Sequence, residues 1–292
     1  MVLTGLLLLV GGSGAAVMLR SARLARSELH PPRIAPQRPA GEDAPAGLME
    51  VTFTTSDSVQ LSGWYVPSRN RAAVLLGHGF GGNRADMLPE ARILAGAGFG
   101  VLLWDWRAHG TSAGELCTWG DGERRDVWAA LEFLTARSDV DAKRLGGLGT
   151  SLGGVALVLA AAGDVRLAAV MAESVWTSFT EEAFLDPPRW GWISAWPQLA
   201  VFRHAGIAVD AIRPVEALAT LGGHPLFLLY GGKDTWNPPE MRAQIAAAAP
   251  SATIWVVPEA AHAGCRVAEP QEYALRMLTF RAPDLPPWTA GG

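Results

Sequence analysis

The sequence predicts an α/β fold with a mostly parallel central sheet and helices on both faces. Three observations carry this. Short apolar runs alternate with helical segments from residue 72 onward, the rhythm of successive strand–helix units. The runs are continuously apolar, as strands buried on both faces must be. Two alternating strands precede them, compatible with an antiparallel start to the same sheet.

The elements follow in order. Leu48–Thr54 and Val59–Val66 alternate well enough for two strands, with Ser56, Asp57 and Ser58 as the turn. Ala72–Leu76 is a buried strand ending at Gly77, and Ala85–Ala97 is a helix stopped by Gly98. Gly100–Trp104 is another buried strand. Asp121–Arg137 is an amphipathic helix with Val127, Ala130, Leu131 and Leu134 on one face. Leu145–Leu148 is a glycine-rich strand and Gly153–Ala162 a helix. Leu167–Ala172, Leu226–Tyr230 and Thr253–Val257 complete the strands, with helices at about Pro239–Ala249 and Glu269–Arg281. Residues 176–212 interrupt the rhythm as an insertion. The expected body spans residues 48–282, with a tail over 283–292.

Val2 to Leu19 carries no charge and would span about 27 Å as a helix, close to a hydrocarbon core of roughly 30 Å. Arg20, Arg23 and Arg26 follow, and no basic residue precedes it. The expectation is a single-pass membrane anchor over residues 1–19, with the body on the cytoplasmic side by the positive-inside rule. A cleaved signal peptide, giving a secreted or periplasmic protein, and an apolar helix docked on the body are the alternatives. Residues 20–47, basic and then proline-rich, read as a linker: residues 31–47 hold five prolines, which block helix and ladder hydrogen bonds.

Composition narrows the function. Hydrophobic residues make up 49% of the 292, and charged residues 18%, far too apolar for a disordered chain. The net charge of −4 and the lack of a broad basic field exclude a nucleic-acid partner from the expectation. Two cysteines, Cys117 and Cys265, exclude a disulfide scaffold and a multi-cysteine zinc module. No metal or organic cofactor is expected.

The chemistry lies in three loops at the carboxyl ends of strands, where ligands gather in such a sheet. Gly149-Thr150-Ser151-Leu152-Gly153 is G-x-S-x-G between a strand and a helix, a turn that exposes a serine hydroxyl in strained geometry. A dinucleotide fingerprint starting at Gly147 fails, because Leu152 stands where its third glycine belongs. A serine hydroxyl needs a base. Of six histidines, His262 alone follows the last predicted strand, in the expected place. The base needs a carboxylate to hold its tautomer, and Asp234 follows a buried strand in Tyr230-Gly231-Gly232-Lys233-Asp234. Glu173, at the end of the preceding strand, is its rival. Gly77-His78-Gly79-Phe80-Gly81-Gly82 lacks Gly-Lys-Ser/Thr and is disfavoured as a phosphate loop. It suits an oxyanion loop, with the backbone N–H groups of Phe80 and Leu152 as donors.

These stretches, with TSDSVQLSGWYVP, LLWDWRAHGTSAGE, LYGGKDTWNPP and PEAAHAG, resemble the α/β-hydrolase superfamily, and most closely its Bem46-like and serine-aminopeptidase-like branch. The resemblance covers about residues 48–280. It implies an α/β-hydrolase fold, a Ser151–His262–Asp234 triad, and a helical lid over the nucleophile formed by the insertion. Asp105-Trp106-Arg107-Ala108-His109-Gly110-Thr111-Ser112 looks like the family's D-x-R-G-x-G-x-S turn, with Ala108 in place of a glycine. The resemblance gives Asp105, Arg107 and His109 a structural role.

The lid insertion contains Trp176, Phe179, Phe184, Trp190, Trp192 and Trp196, an aromatic cover that suits a small apolar acyl ester. These rings could equally form the lid's own small core. The expected activity is serine ester hydrolysis, carboxylesterase- or lipase-like, through an acyl-enzyme. A peptidase or protein thioesterase of the same fold, or a non-catalytic binding module, is the alternative. Oligomeric state is not legible.

Overall fold

The computed structural model describes residues 2–185 and 190–280, and for residues 2–12 and Glu42 the backbone alone. The tail over 283–292 lies outside the described residues, as do residues 186–189 of the insertion. Ten α-helices and eight strands follow in the described chain: α1 (Val2–Leu29), β1 (Met49–Thr54), β2 (Gln60–Val66), β3 (Ala73–Gly77), α2 (Leu88–Gly96), β4 (Gly100–Trp104), α3 (Glu123–Thr135), β5 (Leu145–Thr150), α4 (Leu152–Ala161), β6 (Leu167–Glu173), α5 (Phe179–Leu185), α6 (Trp192–His204), α7 (Pro214–Thr220), β7 (Leu226–Gly231), α8 (Pro239–Ala248), β8 (Thr253–Val257), α9 (Cys265–Ala268) and α10 (Pro270–Thr279).

All eight strands join one sheet in the order β1-β2-β4-β3-β5-β6-β7-β8. The first two pairings, β1 with β2 and β2 with β4, are antiparallel, and every other pairing is parallel. This is the α/β-hydrolase arrangement. β3, β4 and β7 are buried at every residue, which is why their sequences are unbroken apolar runs. The chain steps from β3 to one side for β4 and to the other for β5, leaving a crevice at their carboxyl ends. Two apolar clusters fill the faces. One gathers α3, α4 and the lid helices around residues such as Val155, Leu159 and Phe202; the other packs α2 and α10 through Leu94, Tyr273 and Met277.

Two helix starts differ from the sequence expectation. The predicted helix from Ala85 opens as a short 3-10 turn, Arg84–Met87, fixed by a capping box between Asn83 and Asp86. α3 starts at Glu123 because that carboxylate accepts from the N–H of Thr118 and of Gly120 and tethers the preceding loop.

The N-terminal membrane anchor is corrected. Among the described residues no helix is long and apolar enough to cross a membrane. Met1 and the side chains of residues 2–12, the first part of the expected span, lie outside the described residues. α1 continues ten residues past Leu19, through Arg20, Arg23, Arg26 and Glu28, to Leu29. Ser21, Ala25 and Leu29 are buried there, while Arg23 and Arg26 face outward. Those arginines are the solvent side of an amphipathic, docked helix rather than a topology signal. The cytoplasmic placement drawn from them falls with the anchor.

Candidate active site

The strand–turn–helix at Ser151 is built from close backbone packing. β3 and β5 pair with Gly77 opposite Gly149. A Cβ on Gly149 would overlap the Gly153 backbone, and one on Gly153 would overlap the Gly77 carbonyl. The two motif glycines therefore let α4 sit directly on the sheet. The turn leaves Ser151 at φ 52° and ψ −118°, a conformation costly for a residue with a side chain. Its N–H donates to the Glu173 carbonyl at 2.8 Å, anchoring the turn to the end of β6.

The three side chains predicted to act together converge. His262 Nε2 lies 3.0 Å from Ser151 Oγ, and His262 Nδ1 lies 2.9 Å from Asp234 Oδ2. The Asp234 carboxylate is fully buried, whereas His262 retains 29% exposure. Asp234 Oδ1 accepts from the N–H of Trp236 at 2.9 Å and of Asn237 at 3.2 Å. Burial raises the pKa of this carboxyl, but the His262 hydrogen bond and charge and the two backbone donors outweigh it, holding the group below its usual range. An ionised Asp234 fixes the proton on His262 Nδ1, leaving Nε2 to accept from a hydroxyl.

Glu173 is placed elsewhere. It is buried, and its Oε1 accepts the Cys265 N–H at 2.8 Å; burial raises its pKa. It braces the His262 loop from below. Cys117 and Cys265 are both free, buried thiols.

The Gly79–Gly82 loop lies beside Ser151: a Cβ on Gly79 would sit 3.8 Å from Ser151 Cβ. Two histidines fix it. His78 Nδ1 donates to the Gly79 carbonyl at 2.7 Å and its Nε2 accepts from the Trp106 N–H at 3.3 Å. His109 Nε2 accepts from the Gly81 N–H at 3.1 Å. Burial, reinforced by His109, pushes the His78 pKa down to about 3, so the ring is neutral. Phe80 stacks on Trp119 with centroids 4.7 Å apart. Leu152 is the buried first residue of α4, where the helix dipole favours developing negative charge. Asp105 accepts from Arg84 and from the Thr111 N–H, and Arg107 pairs with Asp57 and Asp126. Ala108, standing where the family turn carries glycine, has φ 61°, a conformation that glycine adopts more readily.

Ser151 and His262 open onto a cavity of about 270 Å³. Phe80, Trp119, Trp176, Phe179 and Trp236 supply its apolar lining, while Glu28, Glu182 and Gln198 bring polar groups to it. The predicted lid aromatics divide. Trp176 and Phe179 line the cavity, but Phe184, Trp190, Trp192 and Trp196 are 42–65% exposed and do not. The reason is local: α6 turns Ala195, Leu199 and Phe202 inward, which puts Trp192 and Trp196 on its outer face.

Several contributors lie outside the sequence expectation, Glu28 and Gln198 among them. Ser174, at φ 58° just past β6, donates to Asp234 Oδ2 at 3.1 Å and accepts the Ala263 N–H at 3.2 Å. Trp119 and Trp236 line the cavity, and Trp236 could have been suspected from its place two residues after Asp234. Among the described residues no group of three His, Cys, Asp or Glu side chains could hold a metal ion.

The sequence profile of the X-Pro dipeptidyl-peptidase (S15) family matches residues 28–189, more than half of the chain. An uncharacterized protein of Mycobacterium tuberculosis is 31% identical over 229 residues, 77% of this chain and 75% of that one. An alpha/beta hydrolase domain-containing protein of Arabidopsis thaliana is 26% identical, over 73% of this chain and 71% of the relative. Among solved structures, the Pyrococcus furiosus esterase Pf2001 superposes with a TM-score of 0.71 at 24% identity, covering 85% of this chain and 96% of the esterase.

Proposed function

Because the chain belongs to the α/β-hydrolase superfamily, in the family described as X-Pro dipeptidyl-peptidase (S15), and is thereby supported as a hydrolase, we propose that it is a serine hydrolase cleaving carboxylic esters through an acyl-enzyme. The hydrogen-bonded chain from Ser151 through His262 to Asp234, opening onto an aromatic cavity, carries this reading.

In this mechanism Ser151 Oγ attacks the ester carbonyl while His262 Nε2 takes its proton. Asp234 stays ionised, holds the tautomer and stabilises the imidazolium that forms. The N–H groups of Phe80 and Leu152 hold the oxyanion, a contribution of roughly 3–4 kcal/mol for each such donor. His262 then protonates the leaving alkoxide. Water, activated by the same ring, cleaves the acyl-enzyme and restores Ser151. The aromatic lining excludes water from the acyl group and favours an apolar one.

A second reading is amide cleavage after a short peptide segment, which the S15 family match favours. The test is fluorophosphonate labelling beside Ser151→Ala, followed by a panel of p-nitrophenyl esters, acyl thioesters and X-Pro p-nitroanilides. Ser151-dependent labelling with fastest turnover of the esters supports the first reading. Faster anilide cleavage moves the assignment to a peptidase, and lack of labelling overturns both.

A further inference from the structure

The N-terminal arm enters the cavity. Ser21, Ala25, Glu28 and Leu29 recur at i, i+4, i+7 and i+8, so they share one face of α1. That face is closed against α6, and Ser21, Ala25 and Leu29 are almost wholly buried. The small side chains of Ser21 and Ala25 permit the close approach. The segment beyond the helix is pinned to the loop that leads to Trp119. The Cys117 N–H donates to the Leu29 carbonyl at 2.9 Å, His30 Nδ1 donates to the Glu115 carbonyl at 3.0 Å, and Arg33 donates to the carbonyls of Ser112 and Gly114. One arm thus braces both the lid and the loop bearing the ring that stacks on Phe80.

Glu28 is the arm's contribution to the cavity itself, which it lines together with Ser151 and His262. Its Oε2 accepts from Gln198 Nε2 at 3.2 Å, and Gln198, on the lid helix, is 5% exposed and lines the same cavity. A largely aromatic wall, which also carries Glu182, is therefore interrupted by a carboxylate–amide pair joining two elements 170 residues apart in sequence. At about 270 Å³ the cavity is also smaller than the roughly 300–1,000 Å³ of sites for drug-sized ligands.

We infer that Glu28 is a specificity-determining residue: with Gln198 it limits the acyl group to short chains. The inference rests on the serine hydrolase reading. A long aliphatic chain would have to press its methylenes on the carboxylate–amide pair and strip it of hydration without replacing any hydrogen bond. On this inference a short acyl group reacts at Ser151 without that cost.

The test compares kcat/KM for p-nitrophenyl acetate, butyrate and octanoate in the full chain and in Glu28→Leu, Gln198→Leu and the double variant. Each single leucine variant raises the octanoate-to-acetate ratio at least about tenfold, within the roughly 10–200-fold that one methylene is worth in a pocket. The double variant raises it by less than the product of the two single effects, because both remove one interaction. Thermal unfolding checks each variant, and Gln198→Leu decides alone if Glu28→Leu does not fold. Ratios within threefold of the unaltered chain in the folded variants overturn the role of Glu28. An unaltered chain that neither hydrolyses an ester nor labels at Ser151 overturns the hydrolase reading instead.

Discussion

The Ser174 hydroxyl donates to Asp234 Oδ2 at 3.1 Å, the same oxygen that receives His262 Nδ1 at 2.9 Å. Ser174 also accepts from the Ala263 N–H, so one side chain ties the carboxylate to the loop that carries the histidine. Ser174→Ala removes both ties and leaves Asp234 its two backbone donors. The expected outcome is a kcat/KM lower by about tenfold, worth about 1.4 kcal/mol, with KM nearly unchanged. Steady-state kinetics on p-nitrophenyl butyrate measures this. A loss carried wholly by KM would assign Ser174 to substrate binding instead.

Asp234→Asn keeps the shape of the carboxylate but favours the wrong histidine tautomer. In triads of this kind that change lowers kcat on the order of 10⁴-fold. The same fall is expected here, with the urea unfolding midpoint moved far less than the rate. A variant that keeps a tenth or more of the activity would remove Asp234 from the relay.

His78 makes stability pH-dependent. Its folded pKa lies near 3 against an ordinary 6.5, so below pH 6.5 the unfolded chain binds a proton that the folded chain does not. Stability from this group is therefore complete above pH 6.5 and is lost as pH falls toward 3, at up to about 1.4 kcal/mol per pH unit. Glu90 and Glu173, whose pKa values are raised by burial, act in the opposite sense, adding stability as pH falls toward 4.5. The contrast with His78→Gln isolates the histidine. Urea unfolding at pH 7.5 and 5.5 should show a smaller loss in the variant, and equal losses would show that His78 does not titrate as argued.

The sheet's glycines give a pair of opposite predictions. Gly153→Ala places a methyl group into the Gly77 carbonyl, backbone against backbone, with no flexible side chain to yield. A destabilisation of about 3 kcal/mol or more is expected, together with loss of activity. Gly96, near the end of α2, has open space where its Cβ would be. Gly96→Ala should stabilise by about 0.5–1 kcal/mol. Chemical denaturation of both variants checks the contrast, and a harmless Gly153→Ala would contradict the close packing of α4 on β3.

Much of the fold was legible because its signals are local. A strand buried on both faces must be apolar throughout, and β3, β4 and β7 are. The motif around Ser151 was legible for the same reason: its glycines answer a steric need within a few residues. Ser174 gave no such signal, since its partners lie 60 and 89 residues away. The start of α1 misled because an uncharged run of eighteen residues carries no sign of the helix that continues ten residues beyond it. Its continuation as a docked helix depends on α6, far off in sequence. The outward Trp192 and Trp196 misled in the same way: composition marked α6 as aromatic, while its inward face is made by Ala195, Leu199 and Phe202.

Peptide mass spectrometry after fluorophosphonate treatment of the full chain tests the central claim most directly. A single phosphonyl adduct on Ser151 is expected, absent from Ser151→Ala and formed far more slowly by His262→Ala. No adduct, or an adduct on another residue that persists in Ser151→Ala, would contradict it.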